Sequence, residues 1–311
     1  MSPQDDPYET IPVTRALRRS RGRWRIFAFV VLAIAVVVGL ARFSPLMNPA
    51  GDVIARVTIS GTILTDAERT ALFEELAEDD TVAAVIVAIN SPGGTTAGGE
   101  ELYASLRALA EQKPVVSTIG ELGASAAYMA AIATDRIYAR NLSIVGSIGV
   151  YYQHVDASGL FETLGVDLDK VASGPLKGKP DFDEPISPEV RDSLVDLVDS
   201  SYQYFVDLVA ERRGLSRPQT LALADGRILS GVMAIEAGLI DEAGGQSEAL
   251  AWLQTERFVE PDLDIVSVWP RQRAPGWIDL VLGAFSGALG DGGWPGLPLD
   301  GLVSLWHPQA R

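Results

Sequence analysis

The sequence is organised around two apolar segments, each followed by a glycine-containing turn and then by a helical pattern. Val85–Ile89 leads into the turn 90–94, and Pro114–Ile119 leads into the turn 120–125. Continuous apolar runs that alternate with helices are typical of sheet strands covered on both faces. The pattern therefore predicts an α/β fold in which both strands deliver the chain to turns with backbone N–H groups available for binding.

The second turn carries Ser125, directly before an alanine-rich helical segment. Strand–turn–helix junctions of this kind can expose a serine beside free backbone N–H groups. We therefore interpret Ser125 as a candidate nucleophile and the turn 90–94 as a candidate oxyanion hole.

Composition narrows the chemistry that is available to such a serine. The absence of cysteine excludes thiol proteases, thiolate metal sites and disulfides, and a net charge of −16 argues against nucleic acid as the main partner. A serine nucleophile needs a base, which is histidine in a Ser-His-Asp arrangement and lysine in the Ser-Lys variant. His154 follows an aromatic pair, and a structural role is the simpler interpretation of it.

Lysine is the remaining base, and three of the four lysines, Lys170, Lys177 and Lys179, fall within ten residues. A lysine base must be neutral, so its pKa has to fall from about 10.4 towards about 7–8. Burial lowers a lysine pKa, and nearby positive charge helps. From the residues alone, a solvated loop lysine remains the simpler interpretation.

The N-terminal region predicts a membrane address. Residues 1–25 form a basic tail, and 26–42 form an apolar segment that we interpret as a single-pass transmembrane signal anchor. Arginines before the segment place the N-terminus in the cytoplasm and the rest of the chain outside. A cleaved signal peptide is the alternative.

The remaining chain is predicted to form a domain over 53–255 and an extension over 256–311. Within the domain, Val166–Ala172 predicts a strand and Pro188–Arg213 a long amphipathic helix. The extension is rich in Trp, Gly and Pro around an apolar helical pattern at 277–285. It would contact the membrane, a neighbouring subunit or the domain itself.

Four motifs occur in an order that resembles the signal peptide peptidase A family, serine peptidase family S49, in its short single-repeat form. The resemblance extends from about Val53 to Gly245 and includes Ala224-Asp225-Gly226-Arg227 and Gly238-Leu239-Ile240-Asp241-Glu242. The four motifs are Asn90-Ser91-Pro92-Gly93-Gly94, Gly123-Ala124-Ser125-Ala126-Ala127-Tyr128, Gly146-Ser147-Ile148-Gly149-Val150 and Ser173-Gly174-Pro175-Leu176-Lys177.

The resemblance implies a role for one residue of each motif, and it implies no cofactor or metal. Ser125 would be the nucleophile, Lys177 the general base, and Gly94 an oxyanion-hole donor through its backbone N–H. Ser147 would orient the lysine amine, with an ordinary turn serine as the alternative. Lys179 is a second candidate for the base.

The resemblance also implies a ClpP/crotonase-like fold of repeated ββα units and a ring- or dome-shaped homo-oligomer. In such an assembly Ser125 would pair with Lys177 of a neighbouring protomer. The sequence departs from the family at Ala126-Ala127, where two glycines are usual, and this predicts a narrower pocket.

The leading hypothesis is a membrane-anchored serine endopeptidase of a bacterial cytoplasmic membrane, with a periplasmic or otherwise extracytoplasmic catalytic domain. It would hydrolyse signal-peptide remnants and other unfolded, extended polypeptides. The alternatives are an acyl-CoA enzyme on the same fold, a non-catalytic membrane scaffold and the related stomatin-associated Ser-Lys peptidases. The acidic domain without a clear basic patch argues against the first alternative, and the presence of both Ser125 and Lys177 argues against the second.

Overall fold

The computed structural model describes residues 27–32, 52–270 and 303–305, the last three as backbone. Residues 27–32 are helical and exposed, and the rest of the predicted tail and anchor lies outside the described residues. No helix within the described ranges is both long and apolar enough to cross a membrane. The anchor therefore stays a prediction.

The chain divides into two units, Met1–Gly51 and Asp52–Arg311, and the second begins with three strand–helix pairs. These are β1 (Val53–Ile63), α1 (Ala67–Glu78), β2 (Val82–Thr95), α2 (Thr96–Ala110), β3 (Val115–Ala124) and α3 (Ala126–Ile132). The later elements are β4 (Arg136–Ala139), β5 (Ile144–Gly146), α4 (Ser158–Leu164), α5 (Pro188–Arg213), α6 (Arg217–Leu223), β6 (Ile228–Ser230), α7 (Gly231–Glu236), β7 (Glu242–Ala243), α8 (Gln246–Glu256), β8 (Asp264–Trp269) and β9 (Val303–Leu305).

The strands form one sheet in the order β6-β5-β3-β2-β1-β8, with β4 also pairing β3, β7 pairing β4 and β9 pairing β2. The pairs are parallel except for β5–β6 and β2–β9. Helices cover both faces, so successive residues such as Val85 and Ile86 belong to different core clusters. This is why the strands are apolar throughout. The predicted α/β class is confirmed.

Residues 90–94 and 120–124, predicted as turns, are in fact continuations of β2 and β3, whereas Ser125 at the end of the second segment does lie in a turn. The pairing of β1 with β2 is irregular between Ser60 and Thr62, and that of β2 with β3 is irregular between Ile89 and Ser91. Each irregularity separates an apolar first part from a glycine-containing second part. The prediction of turns was wrong because glycine backbone can still pair with a neighbouring strand.

Residues 151–187, which we call the arm, contain little regular structure apart from α4. The strand predicted at Val166–Ala172 is absent, and Val171 is 98% exposed. Strand propensity alone does not form a strand where no neighbouring strand offers hydrogen bonds. The arm is held by a Lys170–Asp181 ion pair and by the rings of Phe161 and Phe182, whose centroids lie 5.5 Å apart.

The described parts of the C-terminal extension belong to the same sheet as the domain. β8 pairs in parallel with β1, and β9 pairs antiparallel with the end of β2. The apolar pattern at 277–285 lies outside the described residues.

Candidate active site

The register of the sheet brings three of the four predicted site residues, Gly94, Ser125 and Ser147, to the carboxyl ends of neighbouring strands. We call this region the sheet edge. Ser91 of β2 lies opposite Gly123 of β3, and Ala124 of β3 lies opposite Gly146 of β5. Ser125 and Ser147 each follow one residue of that last pair, and Gly94 follows Ser91 by three residues. Because these strands are parallel, all three residues lie at their carboxyl ends, where open α/β sheets bind ligands.

Ser125 occupies a sharp turn between β3 and α3. Its φ is 57° and ψ −122°, and the residue is only 1% exposed. Its N–H donates to the Gly146 carbonyl at 2.8 Å, and its carbonyl accepts from the Met129 N–H at 3.0 Å. A positive φ outside glycine is costly and persists only where the surroundings impose it. Strained strand-to-helix turns of this kind present the nucleophilic serines of α/β-hydrolases.

The short helix that follows Ser125 is fixed by side chains from distant elements. The Tyr128 hydroxyl donates to the Leu239 carbonyl at 2.7 Å, and burial raises the pKa of Tyr128, which keeps it a donor. The last carbonyls of a helix lack partners within it. Arg212 and Arg107 donate to carbonyls at the end of α3 at 2.8 and 2.9 Å. These hydrogen bonds fix the position of α3, and therefore of Ser125 directly before it.

Ala126 and Ala127, which replace the usual glycines, are both wholly buried in the core. A Cβ built on Gly99 of α2 would lie 3.0 Å from the Ala126 methyl group, so this methyl packs against that helix. The two methyl groups fill core space, and nothing at these positions supports the narrower pocket that the sequence predicts.

The glycines of β2 are required by its neighbours. Gly93 has φ 108°, and a Cβ on Gly94 would lie 1.8 Å from the Ile63 carbonyl oxygen of β1. Sequence reasoning missed Ser91, whose buried hydroxyl donates to the Gly61 carbonyl at 2.6 Å and accepts from the Gly93 N–H at 3.1 Å. The signal was the Asn-Ser-Pro-Gly-Gly run itself, since serine side chains commonly bond to turn backbone.

Ser147 is half-buried and also has a positive φ, 51°. Its N–H donates to the Arg227 carbonyl at 2.8 Å, and the Gly226 N–H donates to the Ile148 carbonyl at 3.2 Å. The side-chain hydrogen bond from Arg227 lowers the pKa of Asp225 to about 2. The Ala224–Arg227 motif thus supports the chain around Ser147.

The Gly238–Glu242 motif connects neighbouring elements through hydrogen bonds. The Asp241 carboxylate accepts from the Ile137 N–H at 2.7 Å and from Arg213 at 2.9 Å, and Arg213 also donates to the Gly238 carbonyl. These bonds tie the end of α5 to β4. They lie in the same segment that anchors Tyr128.

Lys177 lies in the arm with an exposed side chain. Its N–H donates to the Gly174 carbonyl at 3.2 Å, and it lines a surface pocket of about 400 Å³ with Lys170 and Lys179. Lys170 pairs with Asp181 and Lys179 with Glu184, whereas Lys177 forms no ion pair within residues 52–270. The sheet register that gathers the other three residues does not include Lys177.

His154 lies outside this register too. It lines a cavity of about 680 Å³ beside α5, together with Tyr152 and Tyr202. Its Nε2 is buried and has no hydrogen-bond partner within the described part of the chain. The described residues also contain no group of His, Asp or Glu side chains that could hold a metal ion. A buried serine at positive φ beside glycine-rich backbone can act chemically as a nucleophile.

Known proteins share the sequence around this edge. Residues 107–260, which include Ser125, Ser147 and Lys177, match the model of peptidase family S49. A Synechocystis protein assigned as a protease is 35% identical over 67% of this chain and 76% of its own length. The chloroplastic serine protease SPPA of Arabidopsis thaliana is 28% identical over 86% of this chain and 38% of its own.

A third relative is assigned as the signal peptide peptidase SppA of Enterococcus faecium, and it is 32% identical. The match covers 59% of this chain and 54% of that relative, so the chain spans about half of its length. The match to the family model and the 35% identity over three quarters of the Synechocystis relative agree: the chain belongs to peptidase family S49.

Proposed function

We propose that the protein is a serine endopeptidase in which Ser125 is the nucleophile and Lys177 of a neighbouring protomer is the general base. The observation that carries the proposal is the conformation of Ser125. It is a buried serine at positive φ, held at the carboxyl end of a parallel sheet beside Ser147 and the glycines of β2. The chain's membership of a peptidase family supports the same assignment.

The proposed chemistry is acyl transfer in two steps. Ser125 Oγ attacks the scissile carbonyl while the neutral Lys177 amine accepts its proton, and the oxyanion that forms accepts a hydrogen bond from the Gly94 N–H. The tetrahedral intermediate collapses to an acyl-enzyme as the lysine returns the proton to the leaving amine. Water, deprotonated by the same amine, then releases the second peptide. Ser147 would hold the lysine amine through its hydroxyl.

Contact with a neighbouring protomer would give Lys177 the environment that a lysine base requires. A lysine can act as a base near neutral pH only where burial or nearby positive charge disfavours its charged form. The Lys177 side chain is exposed in the single chain. Insertion into the site of a second chain would supply both the burial and the proximity to Ser125.

The proposed substrates are extended polypeptides, including signal-peptide remnants, and the Enterococcus faecium relative is assigned as a signal peptide peptidase. An extended peptide can bind by adding a strand to an available sheet edge. We propose further that 26–42 anchors the protein in a bacterial cytoplasmic membrane with the catalytic domain outside. The fold proposed is of the ClpP/crotonase type, supported by the division of β1 and β2 into two parts before a helix.

The test measures cleavage of a reduced, unfolded protein and of a synthetic signal peptide by the full chain. Ser125→Ala and Lys177→Ala are expected to lower kcat/KM by about 10⁴- to 10⁶-fold, as for other covalent catalytic groups. Lys179→Ala and Lys170→Ala are the matched controls, because these lysines are paired with Glu184 and Asp181. Cleavage that survives in Ser125→Ala, or is lost equally in all four variants with the fold intact, would overturn the proposal.

A further inference from the structure

The backbone that follows β1 is held in place by an ion pair between α1 and α2. Arg69 of α1 is only 7% exposed, and its Nη2 donates to the Leu64 carbonyl at 2.8 Å. The same nitrogen lies 3.4 Å from the Glu101 carboxylate of α2. That carboxylate also accepts from the Asp66 N–H at 2.7 Å. One guanidinium and one carboxylate therefore fix a carbonyl and an N–H of the backbone between β1 and α1.

The same backbone lies against the segment that leads from Gly94 into α2. Ile63, the last residue of β1, is opposite Gly94, and a Cβ on Gly94 would lie 1.8 Å from its carbonyl oxygen. A Cβ on Gly98, in the first turn of α2, would lie 2.7 Å from the Leu64 carbonyl carbon. Thr95 caps this turn by accepting from the Gly98 N–H at 3.1 Å. Because no free space separates residues 63–64 from residues 94–98, a shift of one segment displaces the other.

The ion pair is suited to fixing geometry. Burial lowers the pKa of Arg69, and the nearby Asp66 and Glu101 carboxylates oppose that shift. A buried ion pair adds little net stability, because the desolvation of its charges offsets their attraction. A guanidinium is planar with its donors in a rigid fork, so it can bind a carbonyl and a carboxylate at the same time. The pair thereby sets the distance between the backbone of residues 63–66 and β2.

We propose that Arg69 and Glu101 are positioning residues, which hold the Gly94 N–H at the place where the oxyanion forms. The inference rests on the proposed function, in which this N–H stabilises the oxyanion. Both side chains act through the backbone of residues 63–64. An oxyanion donor has to lie about 2.7–3.1 Å from the oxyanion, and a misplacement of about 1 Å can cost about 100-fold in rate.

The first test compares steady-state kinetics of the full chain and three variants on a peptide substrate. Arg69→Met removes the guanidinium and is expected to lower kcat by about 10- to 100-fold, with KM changed by less than about 3-fold. Glu101→Gln keeps an acceptor for the Asp66 N–H and should lower kcat by about 3- to 10-fold. Glu100→Gln, at an exposed position of the same helix, is the matched control and should keep kcat. A folded Arg69→Met protein with wild-type kcat would overturn the inference.

A pair of inhibitors separates positioning from a general loss of structure. Ser125 Oγ adds to the carbonyl carbon of a peptide aldehyde, which places the former carbonyl oxygen where the oxyanion forms, whereas the matching peptide alcohol cannot form this bond. Arg69→Met is expected to weaken the aldehyde by the same factor as kcat and to leave the alcohol unchanged within about 2-fold. Equal weakening of both inhibitors would mean that Arg69 has only a structural role and would overturn the inference.

Hydrogen exchange separates this inference from the proposed function. In chains that carry Ser125→Ala, the backbone amides of residues 93–98 are expected to exchange at least about 10-fold faster with Arg69→Met than with Arg136→Met. Arg136 is the matched control because it also forms an ion pair, with Glu242 at 3.0 Å, but belongs to β4. Faster exchange supports the inference even if no variant cleaves a peptide, and equal exchange overturns it even if proteolysis is confirmed.

Discussion

The sheet edge around Ser125 and the arm around Lys177 differ in how completely one chain determines them. At the edge, residues are buried, backbone groups are paired, and two non-glycine residues hold positive φ. In the arm, by contrast, large apolar side chains face solvent. These exposed side chains are Val155, Leu160, Leu164, Val166, Leu168, Val171, Leu176 and Phe182.

In the proposed mechanism, this difference means that a single chain builds the nucleophile and its oxyanion donor without building the base. The strain at Ser125 is offset by packing and hydrogen bonds within the domain. Within residues 52–270, no ion pair orders the exposed Lys177 side chain. In the proposed assembly, the exposed apolar arm would be the part of the molecule that a second copy completes.

The strongest test of this comparison mixes two inactive chains. Ser125→Ala and Lys177→Ala, co-refolded in equal amounts, are expected to recover about one quarter of wild-type activity, since a random assembly unites the two intact residues at that fraction of sites. Activity is measured on an unfolded protein before and after mixing. Recovery of nothing, in a mixture shown to assemble, would place the base within the same chain as the nucleophile.

A pair of glycine substitutions probes the two regions directly. Gly94→Ala would place a Cβ 1.8 Å from the Ile63 carbonyl oxygen, whereas Gly159→Ala in α4 meets nothing within 4 Å. The first is expected to lower kcat by about 100- to 1000-fold through the displaced oxyanion donor. It should also lower the free energy of unfolding by about 1–3 kcal/mol.

Gly159→Ala is expected to keep activity and to raise the free energy of unfolding by up to about 1 kcal/mol, because alanine is the better helix former. Both variants are followed by chemical denaturation and by steady-state kinetics. An active, stable Gly94→Ala protein would contradict the geometry at the edge.

A tyrosine pair measures the support beneath Ser125. Tyr128→Phe leaves the buried Leu239 carbonyl without its donor and should destabilise the fold by about 1–3 kcal/mol. Tyr204→Phe, at a site 42% exposed, is the matched control and should change stability by less than about 0.5 kcal/mol. Equal midpoints of denaturation for the two variants would show that the bond to Leu239 contributes nothing.

The smallest effect on folding is expected in the arm. Val171→Ser replaces a side chain that is 98% exposed, so the free energy of unfolding of the dilute protein should change by less than about 0.5 kcal/mol. If the arm meets a second copy, the same substitution weakens assembly in sedimentation experiments. A loss of stability above that limit would mean that Val171 is covered within its own chain.

The central strands and helices could be predicted because their sequence patterns coincide with burial. α5 begins at Pro188 after the N-cap Ser187 and ends at Arg213 before Gly214, as its capping residues indicate. Val166–Ala172 has the composition of a strand but no neighbour, so no local pattern could reveal that it is not one. β8 and β9 were not predicted, because the strands with which they pair lie far away in the chain.

The sequence by itself determined the α/β class, the family and the identity of the residues that carry the proposed chemistry, because these depend on short patterns within each strand–turn–helix segment. The tertiary structure determined which residues and strands lie next to one another. The pairing of Ala124 with Gly146 places Ser147 next to Ser125, and the departure of β3 from β2 leaves an edge for β9. Most of these strands pair in parallel and are not joined by hairpin turns, so no turn in the local sequence fixes their register.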